Sequence, residues 1–267
     1  MYLCGTNKIE EDMKKYLKDF HRLKIFSKKD VVSLTNDDHA ARELLRRYKK
    51  MGFVLQIRRN LYTATDLAYK VSLATKYEIA SKITPSAYLS YHAALEYHGL
   101  ANQVFYEIYV SSNERFNNFE YDGIRYTYCE SKVSQGVISP PRDSLVKVTD
   151  LERTVIDCID CIGRSGGLEE LVVSFSLITY LREAQLLEYL KEYQKQILYQ
   201  KAGFILSYFQ DSMKLSDNFF DECRAKVGNS IRYLTDTYES NTYFKEWQLY
   251  APENILSFLE QGGSEHV

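Results

Sequence analysis

The chain has 267 residues, of which 45% are hydrophobic, and a formal net charge of −2. It is long for one domain and comfortable for two, so it can bury a sizeable core without disulfides or metals. No apolar run approaches the roughly 18 residues that a membrane-crossing helix needs. The five cysteines are odd in number and irregular in spacing, and no signal peptide is apparent at the start. We therefore expect a reduced, cytoplasmic protein without membrane contact.

The charge is divided unevenly along the chain. Residues 1–65 contain 15 Lys and Arg against 8 Asp and Glu, a net charge of +7, and the remainder carries −9. Opposite signs in two parts of one chain are typical of a basic DNA-binding head joined to an acidic body.

Three helices are predicted in the head. Residues 9–25 have apolar positions at helical spacing, which predicts the first helix. Ser27 followed by Asp30 has the form of a capping box and begins a second, short helix, which the turn-forming residues 35–38 end. The third helix covers 38–51 and is amphipathic, with basic residues outside its apolar face, and Gly52 ends it.

A β-hairpin is predicted directly after the third helix. Phe53, Leu55 and Ile57 alternate along the first strand, and Arg59 with Asn60 forms a plausible tight turn. Three helices followed by a hairpin outline a winged helix-turn-helix, which we assign to residues 1–70. Arg58 and Arg59 are expected to project from the tip of the hairpin.

This outline predicts contacts with duplex DNA. Asn36, His39 and Arg42 lie near the start of the third helix, where Asn can pair with adenine and Arg with guanine. Other basic residues are expected to hold phosphates and release counterions, namely Arg46, Arg47, Lys49, Lys50, Arg58 and Arg59. An alternative is a pure interaction protein whose basic head meets an acidic partner.

Residues 71–267 are predicted to form a larger, mainly helical α/β domain with a small sheet and a helical C-terminal extension, which makes the whole chain α+β. Thr149 and Glu152 have the S/T-x-x-E form of a helix start. A last strand near Trp247 could return to the sheet before a final turn of helix. The remaining predicted helices are 77–83, 85–99 and several segments after 168, and the strands are 104–111, 124–130 and 145–148.

Candidate chemistry in this domain is sparse. Asp122, Glu130 and Lys132 follow the loose order of acids and lysine in a group of metal-dependent nucleases, which is the alternative function. Cys158 and Cys161 form a C-x-x-C without a second pair and are better explained as buried small side chains. His92 and His98 are six residues apart, which is wrong for a shared helix face. We expect no catalytic residue, cofactor or metal site, and so no enzyme.

Two segments carry a family resemblance: PSAYLSYHAALEYHGL at 85–100, and VTDLERTVIDCID at 148–160 with Gly166 and Gly167 after it. With the basic head before them, they make the chain resemble the AbiEi-type antitoxins of abortive infection over nearly its full length. The resemblance implies a bacterial antitoxin of a type IV toxin-antitoxin pair, active in phage defence. Its winged helix would bind inverted repeats in its own promoter and repress the operon.

The same resemblance implies that the second domain counters a nucleotidyltransferase-like toxin, without a stable complex between the two proteins. Only the head positions named above carry over as DNA contacts. In the body motif we expect Thr149, Glu152, Arg153 and Asp157 to act as capping and packing groups.

Overall fold

The computed structural model describes residues 15–236 and 241–261 and has a mixed α+β fold, as predicted. Its α-helices are α1 Leu17–Leu23, α2 Lys28–Thr35, α3 Asp38–Lys50, α4 Lys76–Ser81, α5 His92–Tyr97, α6 Leu151–Asp160, α7 Leu168–Ser176, α8 Glu183–Tyr193, α9 Gln196–Ser207, α10 Gln210–Met213, α11 Asp217–Ala225 and α12 Ser257–Gln261. Its strands are β1 Ile25–Ser27, β2 Val54–Arg58, β3 Leu61–Ala64, β4 Tyr88–Leu89, β5 Glu107–Ser112, β6 Phe119–Tyr121, β7 Ile124–Glu130, β8 Val137–Ile138, β9 Val148–Thr149, β10 Arg232–Tyr233, β11 Asn241–Phe244 and β12 Leu249–Pro252.

The N-terminal part contains α1 to α3 and a three-stranded antiparallel sheet in the order β1-β3-β2. The predicted first helix, 9–25, ends early at Leu23, and its first residues lie outside the described part of the chain. Lys24 has a φ of 55°, a left-handed value that turns the backbone out of the helix. Ile25 is therefore extended and pairs with Thr63 of β3, an interaction between distant residues that helical spacing cannot show.

A six-stranded sheet in the order β6-β7-β5-β4-β9-β8 forms the centre of the body. The predicted strand 124–130 matches β7, whereas 104–111 is shifted to β5 and 145–148 is reduced to β9. The strand β4 lies inside the predicted helix 85–99, which shortens that helix to α5. Leu89 of β4 pairs with Val148 of β9, so sheet pairing decides the conformation of this segment over its local helical pattern.

The largest apolar cluster lies among α6 to α9, α11 and β12. Gly203 of α9 faces the ring of Trp247, and a Cβ atom there would come within 2.1 Å of the ring. The strand predicted near Trp247 is β12, but it pairs with β10 and β11 in a separate sheet instead of joining the central one. None of the described helices is long and apolar enough to span a bilayer.

The two histidines of the 85–100 segment have separate hydrogen-bond partners. The Nε2 atom of His92 lies 3.2 Å from Oε1 of Glu170, and both side chains are almost fully buried. The Nε2 atom of His98 lies 2.7 Å from the carbonyl oxygen of Thr149. Each imidazole thus ties α5 to a different part of the body core.

The body motif at 148–160 contains β9 and the whole of α6, but the residue that caps α6 is not the predicted Thr149. Asp150 accepts a hydrogen bond from the Arg153 amide at 2.8 Å, whereas Thr149 belongs to β9 and bonds to the hydroxyl of Thr154. Pairing of β9 with β4 and β8 holds Thr149 in the sheet, which moves the cap by one residue. Glu152 pairs with Arg182 at 2.6 Å instead of closing a capping box.

Arg153 forms a buried ion pair with Asp157 in the body core and makes several further hydrogen bonds. Its Nε donates to Asp157 at 2.6 Å, and the two side chains are 2% and 3% exposed. Its Nη1 donates to the carbonyl oxygens of Val133 and Gln135, and the hydroxyl of Tyr193 donates to Asp157. The pair therefore joins α6, the 133–135 loop and α8.

Replacing Arg153 should destabilise the protein strongly. Arg153→Leu leaves the Asp157 carboxylate buried without its cation, so we expect the free energy of unfolding to fall by about 3–5 kcal/mol in urea titrations. The control is Arg125→Leu, which breaks an exposed pair with Glu107 at 3.7 Å and should cost less than about 1 kcal/mol. Equal losses in the two variants would contradict a structural role for the buried pair.

Candidate nucleic-acid interface

The third helix, α3, presents one apolar face to the core and one charged face to solvent. Asp37 caps its start, because the Asp37 carboxylate accepts a hydrogen bond from the Ala40 amide at 2.6 Å. The inward positions recur at helical spacing and are Ala41, Leu44, Leu45 and Tyr48. Burial of this face fixes which side chains of α3 point outward.

A tight turn joins α2 to α3. Ser27 and Asp30 form the predicted capping box at the start of α2. Asn36 ends α2 with a left-handed backbone, φ 55° and ψ 16°, which an Asn tolerates better than most residues. The turn leaves Asn36 exposed beside the first turn of α3.

The structure places eight of the nine predicted DNA contacts on exposed surface. On α3, His39, Arg46 and Lys50 lie opposite the buried face, since the helix advances 100° per residue. Arg42 and Lys49 lie to one side of them and Arg47 to the other. The exposed residues are Asn36, His39, Arg42, Arg46, Arg47, Lys49, Lys50 and Arg59, and the ninth, Arg58, is half-buried.

Carboxylates on the same helix neutralise part of this charge. Arg42 pairs with Asp38, and Arg46 pairs with Glu43 at 2.6 Å. A hydrogen bond from Lys28, helped by Arg42, holds the pKa of Asp38 below its usual value. These pairs are exposed and therefore weak, so a phosphate can replace the carboxylate as partner at small cost.

The remaining cations of α3 face the elements on either side of it. The amine of Lys49 donates to the side-chain oxygen of Gln56 on β2, which ties α3 to the hairpin. Arg47 and Lys50 line a groove of about 560 Å³ on the other side. Lys15 also lines this groove. Sequence patterns do not reveal this, because Lys15 comes close to α3 only in the folded chain.

The hairpin has the predicted turn, but the buried residues of its first strand do not alternate regularly. Arg59 and Asn60 form a two-residue turn, and Asn60 has a φ of 64°. The buried residues of β2 are Val54 and Ile57, so the alternation of Phe53, Leu55 and Ile57 does not mark the buried face of the strand. A β-bulge between Gln56 and Arg58 breaks the alternation, because it adds one residue to one strand.

Arg58 does not project freely from the hairpin tip. Its guanidinium carbon lies 5.1 Å from the ring centre of Phe119 and 5.7 Å from that of Phe116, both in the body. Burial against these rings lowers the pKa of Arg58. Arg59 is thus the exposed cation of the turn, and Arg58 joins the hairpin to the body.

The structure separates the residues of the nuclease hypothesis. Asp122 is in the turn before β7 and Glu130 is the last residue of that strand, which places them roughly 25 Å apart. Lys132 pairs with Asp160 at 2.5 Å. Within residues 15–236 and 241–261, no group of three or more His, Cys, Asp or Glu side chains is arranged to hold a metal ion.

The cysteines of the C-x-x-C lie at the end of α6. Cys158 is buried and Cys161 is partly exposed, and both are free thiols. Burial raises the pKa of the Cys158 thiol. Cys158 packs in the large apolar cluster and Cys161 against its edge, in keeping with their interpretation as small core side chains.

The chain matches no family model and no curated protein. Its fold is similar to that of a solved structure, the crystal structure of the RV2827C protein from Mycobacterium tuberculosis, with a TM-score of 0.67 and 14% sequence identity. The match covers 94% of this chain and 93% of that chain. At this identity the similarity concerns the fold alone, and the family resemblance of the sequence stays a prediction.

The two arginines at the hairpin tip should differ in their effect on stability. Arg58→Ala removes two cation–π contacts and the packing of the side-chain stem, so we expect the free energy of unfolding to fall by about 1–2 kcal/mol. Arg59→Ala removes the same charge from an exposed position and should change it by less than about 0.5 kcal/mol. Identical urea midpoints for the two variants would show that the contacts of Arg58 with Phe116 and Phe119 do not stabilise the fold.

Proposed function

We propose that the protein binds duplex DNA through the outward face of α3 and the adjacent hairpin. The observation that carries this proposal is the composition of that face. Opposite a fully apolar side, α3 exposes a row of basic side chains, and the exposed Arg59 lies on a hairpin joined to the same helix through Lys49 and Gln56. A helix backed by two others, with a hairpin beside it, suits insertion into the major groove.

The proposed roles follow the position of each side chain along α3. Asn36, His39 and Arg42 lie near its N-terminal end, where a helix entering the groove brings side chains to base edges. Arg46, Arg47, Lys49, Lys50 and Arg59 would hold phosphates. The exposed pairs of Arg42 with Asp38 and of Arg46 with Glu43 would open on binding, as phosphate oxygens take the place of the carboxylates.

We further propose that this DNA is the promoter of the protein's own operon, and that the protein is a cytoplasmic autorepressor and antitoxin. The support is the resemblance of the two body segments to the AbiEi-type antitoxins. These segments meet in the body core, where β4 pairs with β9 and His98 bonds to Thr149. The described cysteines are free, which agrees with a reducing compartment. Neutralisation of a nucleotidyltransferase-like toxin would belong to the body.

DNA binding should depend on Arg42 and Arg46. Arg42→Ala with Arg46→Ala removes two proposed contacts and takes from Glu43 its Arg46 partner, while Asp38 keeps its pair with Lys28 at 2.5 Å. We expect at least about a tenfold loss of affinity for the DNA upstream of the protein's own gene, measured by fluorescence anisotropy. Lys191→Ala with Lys226→Ala, exposed on the body, is the charge-matched control and should bind normally. Unchanged binding by the first variant would exclude α3 as the recognition helix.

Toxin neutralisation should be separable from DNA binding. The protein and the nucleotidyltransferase-like product of a neighbouring gene would be expressed from independent promoters. We expect both the wild type and the Arg42→Ala, Arg46→Ala variant to restore growth, because the proposed antitoxin activity lies in the body. Failure of the wild type to restore growth would refute the antitoxin assignment without bearing on DNA binding.

A further inference from the structure

A cleft of about 480 Å³ lies at the junction of the head and the body. The hairpin tip and β1 border it on one side, and the segment after α4 together with Lys147 borders it on the other. Five cationic side chains line this junction cleft: Arg22, Arg58, Arg59, Lys82 and Lys147. Sequence patterns could not reveal it, because these residues are up to 125 positions apart and each looks like an ordinary surface cation.

Carboxylates balance only part of the positive charge of the junction cleft. Arg22 pairs with Asp19, outside the lining, at 3.2 Å. Among its described lining residues only Asp30 is acidic, and that carboxylate already accepts hydrogen bonds from the amide and the hydroxyl of Ser27, both at 2.7 Å. The amine of Lys147 donates to the carbonyl oxygen of Pro85 at 2.6 Å, which leaves two of its three N–H groups for another acceptor. Lys82 is exposed at the rim.

One donor of Arg58, a residue that lines the junction cleft, has no hydrogen-bond partner. The Nη1 atom of Arg58 is buried from solvent and makes no hydrogen bond within the described chain. The rings of Phe119 and Phe116 hold this guanidinium in place but offer it no oxygen. A buried guanidinium nitrogen without an acceptor is costly. A small movement of the Arg58 side chain toward an anion in the cleft would supply the missing oxygen.

The junction cleft is continuous with the surface around α3. A neighbouring groove of about 360 Å³ is lined by Asp38 of α3 together with Lys28 and Lys29. Ser27 and Asn60 line both this groove and the junction cleft. The path therefore runs from the first turn of α3, around the hairpin tip and onto the body.

We propose that the junction cleft binds a backbone phosphate of the same DNA duplex that α3 holds, through Arg58, Lys82 and Lys147. This inference rests on the proposed DNA-binding function and extends its site from the head onto the body. A phosphate offers several acceptor oxygens, which suits one guanidinium and two ammonium groups converging on one cavity. The acidic body thus contributes a local basic contact despite its overall negative charge.

The test uses a double variant of the cleft, Lys82→Gln with Lys147→Gln. Its control is Lys191→Gln with Lys226→Gln, which removes the same charge from exposed positions of the body that do not line the cleft. Affinity for the upstream DNA is measured between 50 and 300 mM KCl. We expect the cleft variant to lose about tenfold in affinity at low salt, and its slope of log Kd against log salt to fall by about one to two. Lys82→Glu is a single exposed substitution that changes the charge by the same two units, and it serves as a second variant that should keep the fold and weaken binding.

The outcomes separate this inference from the proposed function. The cleft contact alone would be overturned if both cleft variants bound the upstream DNA with wild-type affinity and salt dependence while the Arg42→Ala, Arg46→Ala variant still lost binding. Failure of the wild type to bind duplex DNA would overturn both the cleft contact and the proposed DNA-binding function.

Calorimetry with inorganic pyrophosphate tests whether the cleft binds a small phosphorylated ligand instead of DNA. One result would assign the cleft to a small phosphorylated ligand and refute the DNA assignment. Pyrophosphate would bind the wild type saturably and the Lys82→Gln, Lys147→Gln variant not at all, while the variant kept the wild-type slope of log Kd against log salt for DNA.

Discussion

The arrangement of the charged surfaces depends on an apolar contact between the hairpin sheet and the body. Ile25, Ile57 and Leu61 are buried in the same cluster as Ile108 and Val110 of the central sheet. Burying three such side chains stabilises the contact by several kcal/mol, on the order of 1.5–3 kcal/mol each. The head therefore shares a core with the body, although its own helices close over a second cluster around Phe20 and Tyr48.

Polar contacts fix the angle at which the two parts meet. The amine of Lys24, at the end of α1, lies 2.9 Å from the carboxylate of Glu78, which is almost fully buried in α4. Glu78 also closes the capping box of that helix with Thr75. Arg58 adds a second connection between head and body through the rings of Phe116 and Phe119. With the head held in this way, α3 and the rim of the body form a surface of fixed geometry, on which the proposed DNA contacts depend.

Much of the head followed from local sequence. The capping box of Ser27 and Asp30, the apolar face of α3 and the turn at Arg59 and Asn60 are each determined by residues within a few positions of one another. Local sequence does not define the strands β4 and β9, because each is two residues long and exists through pairing with other segments. β4 pairs with β5 and β9, and β9 pairs with β4 and β8. The cap of α6 moved to Asp150 for the same reason, since sheet pairing already holds Thr149.

The exposed face of α3 shows which parts of the candidate site can be predicted from the sequence. Helical spacing alone sorted its residues into buried and outward positions, and the structure places His39, Arg42 and Arg46 outward as that spacing requires. The same spacing brings Asp38 within reach of Arg42 and Glu43 within reach of Arg46, as i,i+4 and i,i+3 neighbours. It could not show that Lys15 joins the same surface, because that depends on packing between elements.

The sequence by itself determined the α+β class, the uneven division of charge and the identity of the basic helix, because periodicity, capping residues and charge are local properties. Only the tertiary structure decided that Arg58 turns toward Phe116 and Phe119, that Asp122 and Glu130 lie at opposite ends of one strand, and that Lys82 and Lys147 meet the hairpin tip in one cleft. Each of these depends on which distant segments the core brings together. That choice is made by the burial of apolar side chains such as Ile57 and Leu61, and no local pattern encodes it.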